Sequence, residues 1–95
     1  MAQVRKTFTI CNSKGLHARA ATQFVKAANA FESTINVFRN AAQANGKSVM
    51  SLLILAAPKD STIDVEADGV DAEQAIEVLG ELIGNGFGEA GVESG

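Results

Sequence analysis

Apolar positions recur every second residue in some stretches of this chain and at helical spacing in others. The switches between the two periods mark its elements. Over residues 4–11, Val4, Phe8 and Ile10 share one parity and Thr7 and Thr9 the other, which predicts a half-buried strand with Lys6 misplaced on the apolar side. Asn12-Ser13-Lys14-Gly15 reads as a turn. From Leu16 the period becomes helical, with Ala21, Phe24, Val25 and Ala28 forming one stripe that closes between Asn29 and Glu32. Alternation returns from Ser33 to Arg39, with Ile35 and Val37 inward and Phe31 in the same parity. Asn40-Ala41 is then a hairpin tip, Ala42 to Ala44 a short returning strand, and Asn45-Gly46 a second turn. Ser48 to Leu55 suits a short helix with Ser48 near its N-cap, ended by Pro58-Lys59-Asp60. Ile63, Val65 and Ala67 alternate with Asp64, Glu66 and Asp68, the clearest strand in the chain. Asp71 and Gln74 resemble a capping box ahead of a helix whose apolar face is Ala72, Ala75, Ile76, Leu79, Leu82 and Ile83. Gly84 and Gly86 end that helix.

The order is β-α-β-β-α-β-α. Strands polar on one side and few in number are satisfied most economically by a single sheet covered on one face. The expected fold is therefore α+β, an open-faced β-sandwich with a four-stranded antiparallel sheet and three helices on one face. Residues 1–90 form the expected domain, and 91–95 a frayed tail.

Composition narrows the function. Ninety-five residues give one modest core and no deep cleft under a second domain. A formal charge of −3 offers no electrostatic reason to bind nucleic acid. Base stacking would fall to five Phe residues, because Trp and Tyr are absent and the strand pattern places most of the Phe inside. Cys11 is the only cysteine, which rules out an intramolecular disulfide or a thiolate cluster. It reads as a small apolar residue at a strand end, not as a nucleophile, and no metal site is expected. The N-terminus lacks the apolar core of a signal peptide, and Leu52 to Pro58, the longest apolar stretch, is too short for a bilayer. A cytoplasmic setting without membrane insertion is expected.

The chemistry centres on the single histidine. His17 lies in Gly15-Leu16-His17-Ala18-Arg19, where strand gives way to helix. Imidazole is a good nucleophile near neutral pH, and attack by a ring nitrogen on phosphorus yields a P–N bond reactive enough to be passed on. The first helical turn offers unpaired N–H groups and a positive dipole end to phosphoryl oxygens. Arg19 supplies a guanidinium fork suited to bridging them, and Gly15 lets the chain turn without crowding the ring. On spacing alone, a surface histidine that merely caps a helix fits equally well.

The run from Asn12 to Ala21 resembles the active-site segment of HPr, the histidine-containing phosphocarrier family of the bacterial phosphoenolpyruvate-dependent phosphotransferase system. The resemblance covers about residues 4–89. It includes Gln23-Phe24-Val25-Lys26, Gly46-Lys47-Ser48-Val49-Met50 and Gly86-Phe87-Gly88-Glu89. It implies that His17 is phosphorylated on Nδ1 by phospho-enzyme I and that the group passes to IIA proteins or domains, with Arg19 assisting and no cofactor. The protein would be a stoichiometric carrier, not an enzyme. The family usually has proline after the arginine. Here Ala20 replaces it and leaves an N–H that could serve as a further donor.

Ser48 is an N-cap by position. The resemblance adds a second role, regulatory phosphorylation by an HPr kinase/phosphorylase in bacteria that carry one. Val49, Met50, Leu52, Leu53, Ile54 and Leu55 are more apolar than a half-buried helix needs. Val49, Met50 and Leu53 are expected outward, Leu52 and Leu55 inward. With Ala20, Lys26 and Lys47, the three outward residues make the expected docking surface for acidic partners. A carrier meeting partners in succession is expected to be a monomer. The same fold could instead serve a nitrogen-branch paralogue, acting mainly as a phosphorylation-dependent binding module.

Overall fold

Why the sheet forms is clearest at its centre. The structure, a computed structural model, describes residues 3–88. Strand β4 (Thr62–Asp68) buries Ile63, Val65 and Ala67 and turns Asp64, Glu66 and Asp68 to the other side. It pairs antiparallel with β1 (Gln3–Thr9) along one edge and with β2 (Thr34–Arg39) along the other. Val65 lies opposite both Lys6 and Val37. Strand β3 (Ala42–Asn45) pairs with β2, Arg39 facing Ala42 across the two-residue tip Asn40-Ala41, and completes the order β1-β4-β2-β3. Asn40 takes φ 54°, a left-handed conformation that asparagine tolerates.

The inner face carries Ile35, Val37, Ile63, Val65 and Ala67 into one core with α1 (Ala18–Ala28), α2 (Val49–Ile54) and α3 (Ala72–Gly84). From α1 come Ala20, Ala21, Phe24 and Ala28, and from α3 Ala72, Ala75, Ile76, Leu79 and Ile83, while Val25 and Leu82 are only partly covered. Burying a Phe or Leu side chain of this kind contributes about 1.5–3 kcal/mol. The fold is the open-faced α+β sandwich that the alternation implies. The outer face is mostly polar, with Phe38 also on it. Arg5 reaches Asp64 at 3.0 Å and lies 4.2 Å over the Phe38 ring, while Thr7 donates to Asp64 at 2.7 Å. The Thr7 hydroxyl first, then the Arg5 guanidinium, hold the Asp64 carboxyl below its ordinary pKa.

Several expectations are corrected. Strand β1 ends at Thr9, because Ile10 exchanges its backbone bonds with Asp60 and Ser61 in the loop before β4 instead of continuing the ladder. Helix α1 begins at Ala18, and buried Leu16 lies ahead of it. Cys11 is exposed, its thiol donating to Ile83 O and Gly84 O at 3.4 and 3.5 Å, so it is not a covered apolar residue. Beyond α3, a 3₁₀ turn at Gly86–Gly88 inserts Phe87 into the core. The expected tail, 91–95, lies outside the described residues.

The capping box at α3 does not form. Asp71 is the N-cap residue but its carboxylate makes no capping bond. It accepts instead from the Glu32 and Ser33 amides at 2.9 and 3.0 Å and from the Ser33 hydroxyl, tying α3 to the segment before β2. The Ser33 hydroxyl first, then the Glu32 amide, hold the Asp71 carboxyl below its ordinary pKa. A group lowered in the native state stabilises it fully above the unfolded-state pKa and loses that effect as pH falls through the native value. Asp71→Asn is therefore expected to lower the melting temperature at neutral pH. The gap to the parent should close as the buffer is taken down through the carboxylate range. Thermal melts across that range check this, and a gap independent of pH would contradict it.

Candidate functional site

Three constraints bring His17 to the opening of α1. The end of β1 is held by Ile10 N donating to Ser61 O at 2.9 Å and by Asp60 N donating to Ile10 O at 2.7 Å. The chain then turns through Gly15, whose φ of +66° is left-handed, and there is no room for a side chain there: a Cβ would lie 2.4 Å from Ala57 O. Leu16 follows, buried, with its N–H donating to Ala57 O at 2.8 Å. His17 is thereby set as the N-cap of α1 in extended conformation, φ −86° and ψ −175°, and its carbonyl accepts from Ala21 N at 2.8 Å.

The ring then does what a capping side chain does. Nδ1 accepts from the Arg19 backbone N–H at 3.3 Å. A nitrogen that accepts a hydrogen bond carries no proton, so the neutral ring has its hydrogen on Nε2 and its lone pair on Nδ1, at the helix end. No acidic residue stands in the first turn of α1, which leaves the positive end of the helix dipole unneutralised there. His17 is half-buried, and Ala18 and Arg19 are exposed. Imidazole, oriented amide and guanidinium therefore come from two residues, His17 and Arg19. Once the Arg19 N–H lets go of it, that lone pair can attack phosphorus, and the amides of the helix end can hold the oxygens that arrive with it.

The second expected element is also in place. Ser48 caps α2, its hydroxyl accepting from Ser51 N at 3.3 Å, and is half-buried. Helices α1 and α2 pack against each other. On α2, Met50 is 71% exposed and Leu52 and Leu55 are in the core, as expected, but Val49 and Leu53, expected outward, are half-buried and packed against the core. Ile54, missed by the pattern, is 78% exposed. Two docking candidates change. Ala20 is fully buried, because it lies on the face of α1 turned to the core, and its side chain meets no partner. The Lys47 ammonium is committed to Phe31 O at 2.7 Å and is half-buried, while Lys26, in the last turn of α1, is exposed.

Sequence reasoning also missed the buttress beneath the histidine. Ala57 and Pro58 crowd Gly15, and nothing local to residues 12–19 points to a partner some forty positions away. The Asn12 side chain, buried and donating to Gly15 O at 2.7 Å, was read only as part of a turn.

Comparison with known proteins fits this geometry. A family model described as the PTS HPr component phosphorylation site matches residues 4–85. The chain belongs to the HPr family. Its members are the phosphocarriers of the phosphotransferase system, and the chain's function is that of such a carrier. It is 42% identical over 86 residues to the phosphocarrier protein HPr of Neisseria meningitidis, covering 90% of this chain and 97% of that one. It is 36% identical over 90 residues to the phosphocarrier protein NPr of Shewanella violacea, covering 95% and 99% respectively. Among solved structures, an HPr from Thermoanaerobacter tengcongensis superposes with a TM-score of 0.84 at 39% identity, over 93% of this chain and 97% of that one. Among the described residues, no helix is long and apolar enough to cross a membrane.

Proposed function

We propose that this HPr-family chain takes a phosphoryl group on Nδ1 of His17 from phospho-enzyme I and delivers it to IIA proteins or domains. The observation that carries the assignment is the Arg19 N–H bonded to Nδ1 at 3.3 Å, which directs the lone pair of that nitrogen to the first turn of α1. In the acceptance step the Arg19 N–H releases Nδ1 and turns to a phosphoryl oxygen, and the freed lone pair attacks phosphorus. The bond from phosphorus to the donor breaks, and its electrons leave with the donor. The ring keeps its Nε2 proton and is formally cationic, opposite the negative phosphoryl oxygens. First-turn amides and the Arg19 guanidinium offset that negative charge. Delivery reverses each step onto the next protein.

The chain acts as a stoichiometric carrier in the cytoplasm, without cofactor and as a monomer, and is restored after each transfer. Met50 and Ile54, with Val49 and Leu53 beside them, form the apolar part of the docking surface, and Arg19 and Lys26 supply its charge. Ser48 phosphorylation by an HPr kinase/phosphorylase would add about −1.5 to −2 charges on that surface and oppose docking of an acidic partner. A second assignment, to a nitrogen-branch regulator, draws support from the likeness to the Shewanella violacea NPr.

Incubation with radiolabelled phosphoenolpyruvate and enzyme I tests the proposal. The expected result is about one acid-labile phosphoryl group per chain. Label that resists acid, or no label above an enzyme I control, would contradict it. Presenting the labelled chain to sugar-type and nitrogen-type IIA proteins separates the two branches.

A further inference from the structure

Asn12 and Ser33 are the buried polar residues of the described chain, and they serve different ends. Ser33 is bonded to Asp71, at the start of α3. Asn12 lies five residues ahead of the reactive histidine and is 3% exposed. A buried side-chain amide has to be satisfied, and where its donor goes is informative. Asn12 Nδ2 donates to Gly15 O at 2.7 Å. The same carbonyl accepts the His17 backbone N–H at 2.9 Å, and the Gly15 N–H returns to Asn12 O at 3.1 Å. One oxygen thus joins the Asn12 amide to the backbone of the phosphoryl acceptor.

We infer that Asn12 is a positioning residue for phosphoryl transfer: its side-chain amide fixes the Gly15 carbonyl, and through it the placement of the His17 ring at the opening of α1. This rests on the assignment of His17 as acceptor and adds to it. The other supports of the loop act at different points. Leu16 N on Ala57 O fixes the residue before the histidine, and Ala21 N on His17 O fixes the helix after it. Neither holds the Gly15 carbonyl. A turn needing only closure would be served by the backbone bond from Gly15 N to Asn12 O alone. The added amide removes the freedom of the Gly15–Leu16 peptide to rotate. Misplacing a reacting group by about 1 Å costs up to ~100-fold in rate, so a residue that never touches phosphorus can still set the rate.

Two variants test the inference. Asn12→Asp keeps the shape and, when ionised, loses the donor. Asn12→Ala removes the whole side chain. Each is assayed as a substrate of enzyme I, at a temperature where amide spectra outside residues 11–19 coincide with those of the parent. The expected result is a fall in kcat of about tenfold or more with KM little changed, because the docking residues on α2 are untouched. The His17 ring ¹⁵N and Arg19 amide resonances should move together, reporting a displaced Nδ1. A kcat within about twofold of the parent in both folded variants would overturn the inference, as would unmoved His17 and Arg19 resonances. Loss of transfer that only tracks the unfolded fraction would assign Asn12 to stability and overturn it too. If the parent itself takes no label, or takes it away from His17, the failure lies with the acceptor assignment.

Discussion

Replacing His17 with alanine is expected to abolish phosphoryl acceptance while the domain stays folded. In the proposed mechanism the ring supplies the nucleophile, and no second histidine exists in the chain to replace it. It also supplies the cap of α1, so some stability goes with it. A cap residue is worth about 0.5–2 kcal/mol, and the 3.3 Å bond from Arg19 N to Nδ1 is long enough to place His17 at the lower end. His17→Asn separates the two roles. A side-chain oxygen restores the cap and the melting temperature, but it leaves no imidazole to phosphorylate. Labelling with enzyme I and calorimetry on both variants check the pair. Label retained by either variant would contradict the chemistry, and global unfolding of both would contradict the claim that the ring contributes little to the fold.

The second large effect is expected two residues earlier. Gly15→Ala places a Cβ at a residue with φ +66°, 2.4 Å from Ala57 O and 2.9 Å from the Pro58 Cα, both backbone atoms without side-chain freedom to yield. Left-handed alanine alone costs about 1 kcal/mol, and relieving the clash means moving a backbone segment. The sum is expected at about 2–4 kcal/mol, roughly 10–20 °C of melting temperature for a domain of this size. Displacement from Ala57 also breaks the 2.8 Å bond that seats Leu16, so the protein that remains folded should accept phosphoryl groups about 10- to 100-fold more slowly. A melting temperature within a few degrees of the parent, with full transfer, would show that the loop is not built against Ala57-Pro58.

What the sequence made legible, and what it hid, divides by the range of the interactions. Strand β4 and helix α3 are visible because one residue type repeats at one period, and burial follows that period at Ile63, Val65 and Ala67 and at Ala72, Ile76 and Leu79. The caps at His17 and Ser48 are local features and appear where the residue types put them. Asp71 has the same local signature, yet its carboxylate goes to Glu32 and Ser33, whose amides present stronger claims on it than its own helix does. Helix α2 is too short and too uniformly apolar for spacing to decide which residues face out. Packing against α1 and β3 decides it, leaving Ile54 exposed and Leu52 covered. The support beneath Gly15 comes from a loop far along the chain, so no window of neighbouring residues contains it.

The account depends on Nδ1 being the nitrogen that carries phosphorus. Long-range ¹H–¹⁵N spectra of the protein labelled through enzyme I, with ³¹P coupling observed, distinguish the two ring nitrogens directly. The expected spectrum shows phosphorus coupled to Nδ1, the proton retained on Nε2, and the Arg19 amide shifted by its new acceptor. Coupling to Nε2 instead, with the Arg19 amide unmoved, would contradict it.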